Sequence, residues 1–326
     1  MDTATTLRHA TAYNRRLALF AGIGSVWVFV LVSLGAFTTS IGAGMAFPDW
    51  PLSNGSINPE GWLTDIAMFA EHSHRLSGTL MGFITIGLAV WLWKSEPRAW
   101  VRKLGWWALG IVIFQGLLGG KRVLLDSIAV PGFEMTLGQM LRIPHGVLAQ
   151  VYVCMLFAIA VACSRSWVEN RTLLAERTRR IGLICCALLL VQLIVAATMR
   201  HNGAGLAIPY FPASSHDGSL LPPVWGFHVS IHFLHRVLAL ILTVALVMYF
   251  FAIRRDRAAT PLIHAASGAM VGLLVLQITL GAEIIWTFRR PVMTTGHVVI
   301  GSLLLATTFW ITFVAHRDRI EGAKTA

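Results

Sequence analysis

The sequence predicts an all-α integral membrane protein with eight transmembrane helices, arranged as two repeated four-helix bundles. Of its 326 residues, 56% are hydrophobic and only 13% are charged, whereas soluble domains carry about 25% charged residues. Eight separate apolar segments and an internal repeat support the same architecture.

The apolar segments follow one another along the chain. Each is close to the roughly 20 residues that a helix needs to cross the hydrocarbon core of a bilayer. They span about residues 17–40, 74–93, 104–120, 142–163, 181–199, 228–252, 262–286 and 294–315.

Positive charge predicts the orientation. If the N-terminus is cytoplasmic, 18 of the 26 Lys and Arg residues lie in cytoplasmic segments, so both termini are expected on that side. The net charge of +11 reflects this bias. Because the basic residues are scattered over five segments, nucleic-acid binding is disfavoured. The first apolar segment is too long for a cleaved signal peptide, and the leader is short for a mitochondrial presequence. A bacterial cytoplasmic membrane is therefore the expected location.

An internal repeat appears at an offset of 161 residues. The segment IGAGMAFPDWP, residues 41–51, aligns without a gap to NGAGLAIPYFP, residues 202–212. The same offset places His74 on His235. It also places Arg75 on Arg236.

The repeat predicts two halves of similar structure, residues 1–165 and 166–326. Four helices separate equivalent points, so the halves have the same orientation, as in parallel repeats about an axis along the membrane normal.

Four histidines lie near the outer ends of the even-numbered helices, at similar depth: His74, His145, His235 and His297. A lone histidine there would more often be a structural residue, but intramembrane ionisable groups suggest function. Paired histidines on facing helices are compatible with a metal ion, a proton relay or haem. Zinc or non-haem iron would need further close ligands. Two imidazoles from opposite sides of a four-helix bundle favour bis-histidine haem ligation.

Basic residues on the outer side need anionic partners. Arg75 and Arg236 directly follow two of these histidines, and they are candidates for haem propionate contacts or for snorkelling to the interface. The other outer basic residues are Lys121, Arg122, Arg142, Arg200, Arg289 and Arg290. The sequence does not indicate which of them bind a ligand.

With these features the chain resembles the haem A synthase family. The resemblance covers about residues 17–314. It rests on Glu-x-x-His-Arg at Glu71–Arg75, PHG at Pro144–Gly146, a second His-Arg at 235–236, TGH at Thr295–His297, and the loop GAGMAFPDWPLSNG.

The resemblance implies an enzyme that oxidises a ring methyl of haem O to the formyl group of haem A. It implies that His74 and His145 flank the iron of the substrate haem O, and that His235 and His297 hold a resident haem b. A haem O synthase and an unidentified electron donor or acceptor are implied partners, and a homo-oligomer is left open.

The same resemblance assigns catalysis to Glu71. The residue lies one helical turn before His74, on the same face, and its repeat counterpart is His232. We expect it to act as general acid/base or to stabilise a cationic intermediate. The alternative interpretation is an ion pair with Arg75 or Lys121.

The chain departs from many bacterial relatives at one point. Two positions that carry a cysteine pair around the PDWP motif read Phe47 and Ser53, which indicates a subgroup without that pair. The four cysteines lie in or at the ends of apolar segments, so no structural disulfide and no cysteine metal site are expected.

Two other functions remain open at the level of sequence. One is a di-haem b electron-transfer cytochrome without haem O turnover. The other is a transporter or haem-delivery protein, for which helices broken near the midplane would be expected.

Overall fold

The computed structural model describes residues 13–169 and 173–322. Eight of the helices in these ranges are long and apolar enough to cross a membrane, which confirms the predicted all-α fold and the count of eight. The α-helices are α1 (Arg15–Ser40), α2 (Ile66–Ser95), α3 (Ala99–Leu124), α4 (Leu137–Cys163), α5 (Arg165–Glu169), α6 (Glu176–His201), α7 (Phe227–Arg255), α8 (Pro261–Trp286), α9 (Pro291–Ala315) and α10 (Arg317–Ile320). Arg8, Arg171 and Lys324, which belong to the predicted charge bias, lie outside the described residues.

Helix α2 begins at Ile66, well before the predicted start at residue 74. The Asp65 side chain caps it by accepting a hydrogen bond of 2.8 Å from the backbone N–H of Met68, as is typical of a helix N-terminus. Glu71, which precedes the predicted segment, therefore lies inside the helix, and His74 lies about two turns from its start. Hydropathy missed these two turns because their polar side chains are paired within the protein.

The helices of each half form a closed ring. In the first half α1 packs against α2 and α4, and α3 packs against α2 and α4; in the second half α6, α7, α8 and α9 do the same. Each ring encloses its own apolar core, one around Leu88 and Leu156 and the other around Leu246 and Tyr249. The two rings meet because α9 packs against α1 and α4, and α4 packs against α6.

Polar contacts join the halves. The buried Ser302 hydroxyl on α9 donates a hydrogen bond of 2.6 Å to Oε1 of Gln150 on α4. At the end of α1, Ser40 accepts a hydrogen bond of 3.0 Å from Arg200 of α6 and lies 3.1 Å from the Thr295 hydroxyl of α9. The ends of α1 and α6 therefore lie on the same side of the protein.

Two long loops follow these helix ends, residues 41–65 and 202–226. We call the side that carries them the loop face. Both loops start with a glycine in the left-handed region, Gly42 and Gly203, each with φ of 72°, a conformation that side chains disfavour. The shared geometry matches the repeated motif in the sequence.

Candidate functional site

Two of the predicted ligands donate to backbone carbonyls of a neighbouring helix. Nδ1 of His74 lies 3.2 Å from the carbonyl oxygen of Leu31 in α1. Nδ1 of His297 lies 3.1 Å from the carbonyl oxygen of Gln277 in α8. In His74 a proton on Nδ1 leaves the lone pair of Nε2 available for a metal, the usual arrangement of a histidine ligand. In His297 the same lone pair lies 3.1 Å from the side-chain nitrogen of Gln277.

Glycines on the neighbouring helices make room for three of the imidazole rings. A Cβ on Gly35 would lie 2.8 Å from Cε1 of His74, and one on Gly281 would lie 3.2 Å from Cε1 of His297. A Cβ on Gly119 would lie 3.1 Å from Cε1 of His145. The helices therefore approach closely where each ring is held.

Three glutamines accompany the histidines, and the sequence analysis missed them. Nε2 of Gln115 donates to the carbonyl oxygen of His145 at 3.0 Å, and Nε2 of Gln192 donates to that of His235 at 3.0 Å. Nε2 of Gln277 lies 3.1 Å from Nε2 of His297. Gln-x-x-x-Gly at 115–119 and again at 277–281 was the available signal, since the glycine of each motif supports a histidine ring.

Several buried polar atoms around the histidines lack partners among the described residues. They are Nδ1 of His145 and the side-chain oxygens of Gln115, Gln192 and Gln277. Because buried polar groups are normally hydrogen-bonded, these atoms mark two places built for something more than helix packing.

The donor set at these two places fits haem. His74 on α2 and His145 on α4 belong to one ring of four helices, and His235 on α7 and His297 on α9 belong to the other. Among the described residues no cluster of three or more His, Cys, Asp or Glu side chains could hold an ion alone. Two neutral imidazoles per half therefore suit an iron whose remaining ligands come from a porphyrin.

Glu71 is a buried carboxylate, 1% exposed, on the turn of α2 that precedes His74. Its Oε1 accepts a hydrogen bond of 2.7 Å from Arg75, and its Oε2 accepts one of 3.1 Å from the backbone N–H of Phe47. The alternative interpretation as an Arg75 ion-pair partner is thus present in the structure. The second cation near it is Arg122, at 3.9 Å, and not Lys121.

Arg75 and Arg236 bind the two long loops in the same way. Each guanidinium donates to three backbone carbonyls of its own loop, at positions related by the offset of 161 residues. The acceptors are Phe47, Asp49 and Leu52 for Arg75, at 3.1, 2.9 and 2.6 Å, and Ile208, Tyr210 and Ala213 for Arg236, at 3.0, 2.6 and 3.0 Å. These donors hold the loops, and a propionate contact by either arginine stays a prediction.

The second half replaces the carboxylate with an imidazole. Nδ1 of the buried His232 accepts a hydrogen bond of 3.2 Å from the N–H of Ile208, and Nε2 lies 3.3 Å from Nε of Arg236. The loop contact is therefore the same as that of Glu71, without the carboxylate charge.

His72 follows Glu71 on α2 and contacts the same loop. Its ring is buried, its Nδ1 is 3.1 Å from the Ser53 hydroxyl, and it packs against Phe47 and Trp62. His72 therefore helps to hold the first loop against α2.

Comparison with known proteins places this geometry in a family. The family model described as cytochrome oxidase assembly protein matches residues 18–309, a range that includes all seven predicted site residues. The chain belongs to the cytochrome oxidase assembly protein family.

Several members of this family are similar to the chain over most of their length. The protein named Heme A synthase from Shouchella clausii is 25% identical over 314 residues, covering 94% of this chain and 98% of the relative. Heme A synthase from Alkalihalophilus pseudofirmus is 25% identical over 308 residues, covering 93% and 99%. Heme A synthase from Bacillus licheniformis is 30% identical over 223 residues, covering 66% and 68%. Together with the eight helices long and apolar enough to span a membrane, these relatives place the chain among multi-pass membrane proteins.

Proposed function

We propose that this chain is a haem A synthase, which oxidises one ring methyl of haem O to the formyl group of haem A. The observation that carries the proposal is the placement of Glu71, a buried carboxylate one turn from His74, in only one of the two halves; its counterpart in the second half is His232. The relatives of the chain bear the same name.

The two sites take different haems in this proposal. His74 and His145 in the first half receive the substrate haem O. His235 and His297 in the second half hold a resident haem b, which supplies electron-transfer chemistry when bound. The contact of His74 Nδ1 with the Leu31 carbonyl supports its role because it leaves Nε2 available as a ligand. Nε2 of His297 would bind iron in place of the Gln277 side-chain nitrogen.

The reaction removes four electrons from the methyl carbon. Methyl and water give an alcohol, two electrons and two protons; the alcohol and a second water give a geminal diol, two electrons and two protons; the diol then loses one water to leave the aldehyde. If dioxygen supplies the oxygen atom instead, an electron donor is required. The external redox partner is therefore part of the function.

Glu71 serves this chemistry through its charge and position. Its carboxylate stabilises positive charge that develops on the reacting carbon and accepts the proton lost there. Arg75 and the N–H of Phe47 fix the two oxygens. Glu71 and Phe47 are both buried, so bulk water has little access to the carboxylate.

The setting of the enzyme follows from the charge bias and the family. We infer a bacterial cytoplasmic membrane with both termini in the cytoplasm, so that the loop face lies on the outer side. A haem O synthase would deliver the substrate.

Analysis of the haem bound after expression tests the function. Cells that make the protein, with and without a source of haem O, are extracted, and the pigments are identified by spectrum and mass. Haem A that appears only with the haem O source supports the enzyme. Two permanently bound b-type haems without haem A would instead indicate an electron-transfer cytochrome, and unchanged haem O would indicate a delivery protein.

A further inference from the structure

Arg122 is a nearly buried cation without a hydrogen-bond acceptor among the described residues. It lies in the last turn of α3, and its side chain is 14% exposed. Its NH1 lies 2.9 Å from the point where a Cβ on Gly44 would stand. The guanidinium therefore packs against the backbone of the first loop at Gly44, where a larger residue would have to displace it.

The acidic groups around Arg122 are engaged elsewhere. Glu71 accepts from Arg75 at 2.7 Å, and Asp126 accepts from Arg142 at 2.7 Å. The 3.9 Å between Arg122 and Glu71 is too long for a hydrogen bond. Three guanidinium groups thus face two carboxylates, and the excess positive charge falls on Arg122. A largely buried charge whose nearest carboxylate is already bound to another arginine is costly, so this arrangement favours an added anion.

The position of Arg122 relates it to the first histidine site. Gly119, which supports the ring of His145, lies three residues earlier on α3 and so on the same face of the helix. Arg122 also lies 3.9 Å from Glu71, which is one turn before His74 on α2. A ligand bound by His74 and His145 would therefore have this guanidinium on its loop-face side.

We propose that Arg122 binds a propionate carboxylate of the substrate porphyrin in the first half, while Arg75 positions the loop and Glu71. The inference rests on the proposed function for the identity of the porphyrin. The two propionates are the anionic groups of that substrate, and the planar fork of an arginine matches a carboxylate with two parallel hydrogen bonds. Arg75 already donates to three loop carbonyls and to Glu71.

Esterified porphyrin provides a direct test. Purified full-length protein in nanodiscs of zwitterionic lipid is titrated with protohaem and with its dimethyl ester, and the Soret change gives both dissociation constants. Loss of the Soret change in His145→Ala would show that the change reports binding at the histidine site of the first half. Wild-type protein is expected to bind the diacid about tenfold or more tightly than the diester.

Substitution of Arg122 should remove this preference. In Arg122→Gln we expect nearly equal affinities for the two ligands, whereas Arg290→Gln, at an exposed arginine of the loop face, keeps the wild-type preference. Arg122→Lys retains the charge without the planar guanidinium and should show an intermediate preference for the diacid. This variant also tests the proposal if Arg122→Gln does not fold. A full preference for the diacid in Arg122→Gln or in Arg122→Lys would overturn the proposal.

Two further outcomes distinguish a propionate contact from a folding role and from a lipid contact. Equal weakening of both ligands in Arg122→Gln would assign the residue to folding and would overturn the proposal. If the preference of wild-type protein disappears only in nanodiscs of anionic lipid, a headgroup phosphate is the occupant and the propionate assignment fails. Wild-type protein that prefers the diacid but makes no haem A would refute the proposed function alone.

Discussion

Glu71 and His232 each accept one backbone hydrogen bond from the long loop of their own half, from residues 161 positions apart in the chain. The loop contact is therefore common to both halves, and the carboxylate is not. A substitution that keeps the acceptor but removes the charge of Glu71 can thus separate what the residue does for the fold from what it does for the reaction.

Glu71→Gln should lower the rate of haem O conversion by about a hundredfold or more, because the side chain still accepts from the Phe47 N–H but carries no charge. Bound haem should stay at the wild-type amount. Glu60→Gln, at an exposed carboxylate of the same loop, should keep full activity. Turnover in Glu71→Gln equal to that of wild type would remove the residue from the catalytic scheme.

The histidine assignments predict loss of one haem per half. His235→Ala and His297→Ala should each abolish the spectrum of the resident b-type haem, because the iron loses an axial imidazole. His74→Ala and His145→Ala should keep that spectrum and lose affinity for added haem O. His216→Ala, at an exposed loop residue, is the matched control. The ratio of haem to protein measures all five variants; retention of both haems after His235→Ala would contradict the ligand scheme.

Gly35→Ala should displace the proposed iron ligand His74 without changing that residue. The added Cβ would lie 2.8 Å from Cε1 of His74, so the ring must move and the affinity for haem O should fall about tenfold, as for other changes in the support of a metal ligand. Gly22→Ala lies in the same helix and meets nothing within 4 Å; it should leave binding unchanged and stabilise the helix slightly. Equal affinities in the two variants would show that the packing does not position His74.

Arg236→Gln should loosen the second loop. The substitution removes charge-assisted hydrogen bonds to three loop carbonyls, so the free energy of unfolding should fall by about 2 to 4 kcal/mol. Limited proteolysis within residues 202–226 and the midpoint of thermal denaturation measure the effect. Arg255→Gln, exposed in the last turn of the same helix, should behave as wild type. Equal proteolysis of the loop in Arg236→Gln and Arg255→Gln would show that other contacts hold it.

Hydropathy predicted the eight helices, because a segment that faces lipid must be apolar along its length. It placed the start of α2 too late, since Glu71 and His72 are polar yet paired with the loop. The repeat paired His74 with His235 because the chain between the loop motif and the histidine has the same length in both halves. It did not pair Gln115 with Gln277, because they lie 162 residues apart, one residue more than the offset of the loop motifs.

The role of Arg75 lay beyond the sequence for a physical reason. Its acceptors are backbone carbonyls, which every residue carries, so no residue type marks them. Arg122 was one of six outer basic residues without an assigned ligand. Only the folded arrangement shows that Arg289 and Arg290 are exposed, whereas Arg122 is largely buried without a hydrogen-bond acceptor among the described residues.

The contacts of Phe47 and Ser53 have a consequence for the environment in which the protein works. Phe47 is fully buried and its ring lies under the guanidinium of Arg75, 5.4 Å from its centroid, and the Ser53 hydroxyl meets His72 at 3.1 Å. Hydrogen bonds and aromatic contacts do not respond to the redox poise of a compartment, unlike a thiol pair. The first loop therefore keeps its shape under oxidising and reducing conditions alike, and its closure does not depend on thiol-oxidising enzymes.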